Sequence, residues 1–366
     1  MSLRSSLCPV LAYTLAMASL LPPSLHAQDD SAQTSTKHAA TKLPGEKKDN
    51  DRDVHSTAAL WAQIKNPVLW HKPVDIASLD LFYGQGGQNK QPKAPFTFES
   101  EDLDGTNPKM DVRDAAGKKW RVKEGAEARP EVAASRLLWA MGYYANDDYL
   151  LHQTTVTGVK MKRGSKQLKA GTLIDCRFSR KPSGQDKIGI WAWKDNPFYG
   201  KREFNGLRVM MAVMNNWDLK DVNNSVYTDS KTGQQIFLIN DVGATFGSNG
   251  LGFSKSKAKG NIDSYKGSGF VQHLTDTEVD FSTPKAPTGV LLATAGLSAK
   301  SYSMRSGLDW IGNNIPRADA KWMGSLLAQL SHKQLQDAFR AGGFPADEVD
   351  QYVQVVESRI AELQKL

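Results

Sequence analysis

Two short polar stretches carry the residue types that could do chemistry. One is Asn216-Trp-Asp-Leu-Lys-Asp-Val-Asn223 and the other is Phe237-Leu-Ile-Asn-Asp-Val-Gly243. Between them they offer the carboxylates of Asp218 and Asp241 and the amide of Asn223. Such oxygens can take up a proton or hold a hard divalent cation. Each also has a plainer use: Asp218 and Asn223 could cap and turn a loop after a helix, and Asp241 could close a strand before Gly243. Other chemistries lack their residues. There is no His-Glu-x-x-His, no Gly-x-Ser-x-Gly and no cysteine pair, and the seven histidines are scattered without ligand spacing.

The elements that must position these residues are readable from periodicity. Phe96-Thr-Phe-Glu reads as a strand, and Met110 and Val112 then alternate with charged residues. Ala115-Ala116-Gly117 is a turn, Trp120 and Val122 alternate on the return strand, and Lys123 follows them. Ahead of this hairpin, Asp104-Gly-Thr-Asn-Pro-Lys109 joins two strands and could wrap backbone amides around a phosphate. Pro130 suits the first turn of a helix that carries Val132, Leu138, Trp139 and Met141, with Gly142 as its C-cap. Residues 152–193 read as strand-rich. A Met-rich helical run (Leu207, Met210, Met211, Met214) precedes the first polar stretch, and the strand Ile236-Phe-Leu-Ile leads into the second. The last fifty residues read as helical, with a capping box at Ser331-His-Lys-Gln334 and Pro345 opening the final helix. A β-rich first half, residues 57–194, and an α-rich second half, residues 195–366, predict an α+β fold of two lobes with ligand between them.

Composition bounds the function. The chain has 366 residues, 40% hydrophobic and 23% charged, which is ordinary for a globular protein. A net charge of +7 suits an anionic ligand but is too diffuse to argue for nucleic acid. Two cysteines exclude a disulfide scaffold or a Cys-rich zinc site. Arg4, the apolar run from Pro9 to Leu21 and the small residue Ala27 read as a secretory signal over residues 1–27. Export to a periplasm or the extracellular space (a secretory lumen in a eukaryote) is therefore expected, with no membrane span after cleavage and Cys176 left without a partner. Residues 28–56 are polar and charged, too poor in apolar side chains to offset their ordering entropy, and read as a disordered tether. Between Phe246 and Gly260 the chain is rich in Gly, Ser and Lys, which suits either a loop over a cleft or a solvated one.

The first polar stretch resembles the catalytic loop of protein kinases, where Asp-Leu-Lys is followed by an Asn five residues after the Asp, here Asp218 and Asn223. The second resembles the Asp-x-Gly element of the same enzymes, here Asp241-Val242-Gly243. Trp-Arg-Val-Lys123 matches the strand lysine of that family, and Glu131, with Glu127 as competitor, its helix glutamate. The loop 104–109 looks like that of HipA-type kinases. Over residues 96–247 the chain is similar to the atypical kinase-like superfamily of HipA, the phosphatidylinositol kinases and the FAM20 and CotH secretory kinases. That resemblance implies a nucleotide, ATP or another, between the lobes, with Mg2+ or Mn2+ held by Asn223 and Asp241. Asp218 is then the proton acceptor for a hydroxyl-bearing protein, lipid headgroup or small molecule. Lys123, paired with Glu131, contacts the phosphates together with Gly105, Thr106, Asn107 and Lys109. The alternative is a kinase-fold binding or scaffold protein of the cell envelope without transfer activity. Departures from the family are Asn216-Trp217 in place of His-Arg, Val242 in place of Phe, and the eight-residue spacing of Lys123 and Glu131.

Overall fold

The computed structural model describes residues 58–103, 107–180, 184–216, 218–248, 259–283 and 309–366. The expected signal (1–27) and tether (28–56), Gly105 and Thr106, and most of the Gly/Ser/Lys run lie outside the described residues. All described residues belong to one compact unit, Asp49–Leu366.

The chain is a mixed α and β structure. A short helix, α1 (Ala58–Gln63), and a two-residue strand, β1 (Pro67–Val68), come first. Five strands then close a barrel in the order β2-β3-β4-β6-β5: β2 (Phe96–Asp102), β3 (Lys109–Arg113), β4 (Lys119–Lys123), β5 (Asp148–Thr157) and β6 (Thr172–Arg180). Only the closing pair, β2 with β5, runs parallel. Helix α2 (Ala128–Ala140) lies between β4 and β5 in the chain, and the short α3 (Lys166–Lys169) between β5 and β6.

The alternation read from the hairpin sets the two faces of the barrel wall. Met110, Val112, Trp120 and Val122 point inward and pack with Phe96, Cys176 and Phe178. The other face of β4 carries Lys119, Arg121 and Lys123. The hairpin turn is built by Asp114, whose Oδ1 accepts from the backbone N–H of Ala116 (2.9 Å) and Lys118 (2.8 Å), while Oδ2 accepts from Trp120 Nε1 (2.9 Å). Cys176 is a free, buried thiol.

Downstream, β7 (Gln185–Gly189), α4 (Arg202–Met214), β8 (Asn224–Asp229) and β9 (Gln235–Ile239) follow. The sheet order β1-β9-β8-β7 draws two strands from before residue 194 and two from after it. A short helix α5 (Ile262–Lys266) precedes a three-stranded sheet of β10 (Val271–Leu274), β11 (Glu278–Phe281) and β12 (Ile315–Pro316). The chain ends in α6 (Arg317–Leu327), α7 (His332–Ala341) and α8 (Ala346–Lys365). The capping box at Ser331 and Gln334 forms, with both reciprocal bonds present. These helices enclose the larger core, where Leu137 and Leu138 of α2, the methionines of α4, Phe237 of β9 and the stacked rings of Phe339 and Tyr352 meet. The Met-rich run is therefore core. Among the described residues, no helix is long and apolar enough to cross a membrane.

Helix α2 contributes to that larger core and also faces the barrel wall. Its end is fixed by Gly142, one residue beyond the C-cap Met141, in the left-handed region at φ 86°. The N–H of Tyr143 bonds to Leu138 O (3.0 Å) and that of Gly142 to Trp139 O (2.9 Å), the paired bonds of a Schellman motif. A Cβ at position 142 would stand 2.1 Å from the backbone oxygen of His71. Gly142→Ala is therefore expected to cost more than the ~1–2 kcal/mol of left-handed strain alone. Denaturant midpoints of the two proteins measure this, and an unchanged midpoint would refute it.

Candidate functional site

The site forms where the outer face of the barrel meets α2 and the turn after β9. In the ladder, Lys109 of β3 stands opposite Lys123 of β4, and Lys123 stands opposite Arg177 of β6. Facing residues share one side of a sheet, so three cations form a row across the wall. Like charges so placed repel unless acids intervene. The acids come from elsewhere. Lys109 pairs with Asp102 (3.5 Å), and Lys123 takes three carboxylates at once: Glu127 Oε2 at 2.6 Å, Asp241 Oδ1 at 2.9 Å and Glu131 Oε2 at 3.2 Å. An ammonium has three donors, so none of these acids excludes another.

Burial decides how strong these pairs are. Lys123 is 5% exposed and Glu131 is 1% exposed. Arg177 Nη1 bonds the second oxygen of Glu131 and lies 3.7 Å from Asp148 Oδ1. Burial opposes the charge on Lys123, but Glu131, Asp241 and Glu127 outweigh it and raise its pKa. Burial pushes the Glu131 carboxyl up to about 7 against the pull of Arg177 and Lys123. Burial also works against ionised Asp241, yet the Lys123 ammonium holds its carboxyl at about 2. Asp241 is thus a carboxylate at neutral pH. Its side chain is 45% exposed, and among the described residues only one of its oxygens has a hydrogen-bond donor.

The local backbone explains the second polar stretch. Asp241 adopts φ 39°, a left-handed conformation that aspartate tolerates better than most residues. The chain turns there, Val242 enters the core, and Gly243 lies against Glu127. A Cβ at Gly243 would approach Glu127 Cβ to 2.6 Å, which is why this position suits glycine.

The first polar stretch begins where α4 ends at Asn215, itself left-handed at φ 56°. Asn216 Oδ1 accepts from the backbone N–H of Asp218 (3.1 Å), and Asn223 Nδ2 donates to Asp218 O (2.7 Å). The N–H of Asn240 donates to Asn223 O (3.0 Å), so the stretch is tied directly beside Asp241. Lys220 pairs with Asp218 Oδ1 at 3.2 Å, and its charge also lowers the pKa of Asp241.

The structure therefore brings Lys123, Glu131 and Asp241 into direct contact and keeps Asp218 and Asn223 in one adjoining loop. It gives Glu127 as well as Glu131 to Lys123. Lys109 faces Asp102, and Asn107 Nδ2 donates to Glu127 Oε2. Three participants escaped the sequence reading. Lys220 sits inside the first polar stretch, where its residue type alone assigns it no partner. Arg177 lies between Cys176 and Phe178 with no motif around it, and only the β4–β6 register reveals it. Lys259, whose Nζ bonds Glu127 Oε1, stands at the end of a Gly/Ser/Lys run whose composition favours a solvated loop over one that covers a cleft. Among the described residues, no group of three or more His, Cys, Asp or Glu is placed to hold a metal ion by itself.

No model of a known protein family matches the chain, and no curated protein matches it. Among solved structures, it is similar to the proinflammatory kinase CtkA of Helicobacter pylori, with 13% identity and a TM-score of 0.33, over 73% of this chain and 97% of that one.

Proposed function

We propose that the chain is an exported, kinase-like phosphotransferase that moves the terminal phosphate of a nucleotide to a hydroxyl acceptor, working in the periplasm or outside the cell. The barrel lobe would hold the phosphates and the helical lobe the acceptor, with the nucleotide between. The observation that carries this reading is the contact of Lys123 with Asp241, residues 118 apart in the chain, beside a buried Glu131. A phosphate-binding cation, its orienting acid and a metal-type carboxylate are the parts that phosphoryl transfer needs in one place.

The donors present fit a divalent cation. The free oxygen of Asp241 and the amide oxygen of Asn223, whose Nδ2 is already committed to Asp218, are hard ligands of the kind Mg2+ or Mn2+ prefers, and phosphate oxygens supply the rest. Bound there, the cation would neutralise phosphate charge. Lys123 would contact the phosphates, oriented by Glu131 and Arg177, with the side chains of Asn107 and Lys109 alongside. The Asp218 carboxylate would accept the proton of the acceptor hydroxyl as its oxygen bonds to phosphorus and the nucleoside diphosphate leaves. Lys220, close to both acids, would hold charge balance between them.

The test is a titration with ATP, with and without Mg2+ or Mn2+, followed by thermal shift, alongside phosphate release. Metal-dependent stabilisation and slow turnover are expected. Binding without any turnover would favour the scaffold alternative, and no nucleotide binding at all would overturn the reading.

A further inference from the structure

Glu127 is the N-cap residue of α2, yet its side chain makes no capping bond to that helix. Its carboxylate points instead into the site, 11% exposed, and collects three donors. Asn107 Nδ2 and Lys123 Nζ reach Oε2, and Lys259 Nζ reaches Oε1. The donors come from three separate places: the turn entering β3, the end of β4, and the chain beyond Gly243.

Lys259 is held there by its surroundings. The next two residues bond back to the turn after β9, Gly260 N to Thr245 O and Asn261 N to Phe246 O, both at 2.8 Å. Gly243 lies against the Glu127 stem, with no room there for a side chain of its own. Lys123 keeps Glu131 and Asp241 as carboxylate partners when Glu127 is elsewhere. Two ammonium groups and an amide converging on one small oxyanion form the donor set that binds a phosphate.

We infer that Asn107, Lys123 and Lys259 form a phosphate-binding slot that the Glu127 carboxylate occupies as a stand-in, and that Lys259 is a phosphate-binding residue of this site. The inference rests on the phosphotransferase reading, since the phosphates it would take are the terminal ones of the nucleotide. A polyphosphate brings more negative charge and more acceptor oxygens than a carboxylate, so it displaces Glu127 by rotation of that side chain toward solvent.

The experiment titrates the protein calorimetrically with pyrophosphate in the absence of metal. Glu127→Gln keeps the size of the side chain and removes its charge, and it is expected to raise pyrophosphate affinity by ~10-fold, the factor that 1.4 kcal/mol gives. Adding Lys259→Met to that variant should cancel the gain. Unchanged or weaker binding in a folded Glu127→Gln protein would overturn the slot. If that variant does not fold, acetylation of wild-type lysines is mapped by mass spectrometry: saturating pyrophosphate should slow modification of Lys259, and no slowing overturns the inference. Parallel titrations with magnesium and ATP separate the two readings. Gain for pyrophosphate with no nucleotide binding in any form keeps the slot and sinks the phosphotransferase. Nucleotide binding with neither ligand responding to Glu127→Gln does the reverse.

Discussion

Asp241→Ala is expected to weaken magnesium-dependent nucleotide binding by about 100-fold, equivalent to about 2.7 kcal/mol. Asp218→Ala should bind nucleotide nearly as wild type does and lose transfer by roughly 10²–10⁴. The difference follows from position. Asp241 follows an apolar strand, its side chain is half-exposed, and among the described residues only one of its oxygens has a hydrogen-bond donor, which leaves the other for a metal and its phosphates. Asp218 lies in the loop after α4, and a proton acceptor is needed mainly in the transition state. Alanine at φ 39° adds backbone strain of its own, so Asp241→Asn is the companion variant: it keeps the residue type the turn tolerates and removes only the charge. Calorimetry with nucleotide and magnesium, run beside phosphate transfer, separates the roles. Equal unfolding of the Asp218 and Asp241 variants would make both acids structural. Wild-type affinity in Asp241→Asn would remove the metal assignment.

The second large effect belongs to a residue that touches no substrate in this reading. Arg177→Met leaves Glu131 with Lys123 alone and takes from Asp148, whose carboxylate oxygens have no hydrogen-bond donor among the described residues, one of its two neighbouring cations, the other being Arg136. Removing one member of a buried ionic cluster costs ~3–5 kcal/mol, because an uncompensated charge stays behind. The pH dependence has a definite sign. Burial already raises the Glu131 carboxyl to about 7, above its unfolded value, so what it adds to stability is present at low pH and lost as pH rises through that value. Without Arg177 the folded value climbs further, so the deficit of Arg177→Met should be largest above neutrality and shrink toward pH 5. Urea denaturation across that range measures it. A deficit under ~1 kcal/mol, or one independent of pH, would show that Arg177 does not hold Glu131 in this way.

What the sequence revealed and what it hid divide along the range of the interactions. The β3–β4 hairpin, the start and end of α2 and the capping box of α7 depend on residues within a few positions of each other, and all were legible. The Asp-x-Gly turn was legible too, though not why its third residue is glycine, because the stem of Glu127 that crowds it comes from another element. Lys123 on an amphipathic strand ordinarily faces water. Here α2 covers that face, which no local pattern announces. The choice between Glu127 and Glu131 had no sequence answer because a lysine ammonium bonds both. Arg177 was hidden for a topological reason: β4 pairs with β6 rather than with the next strand in the chain, so its partnership with Lys123 exists only in the closed barrel.

That closure also governs how the protein meets other copies of itself. Each of the five barrel strands has two neighbours, and the closing contact pairs Phe96 and Thr97 of β2 with Val156 and Thr157 of β5, so closure covers part of what would otherwise be two open edges. The two open sheets end in strands poorly suited to templating. β1 and β12 are two residues long, and β12 ends in Pro316. β7 carries Asp186 and Lys187, charges that oppose stacking of one copy on another. At the edges of these two sheets, β10, with its exposed Leu274, lacks such a guard. Edge-to-edge association, the commonest hazard of strand-rich chains, thus has β10 as its plainest opening among the edges of the two open sheets in the described residues.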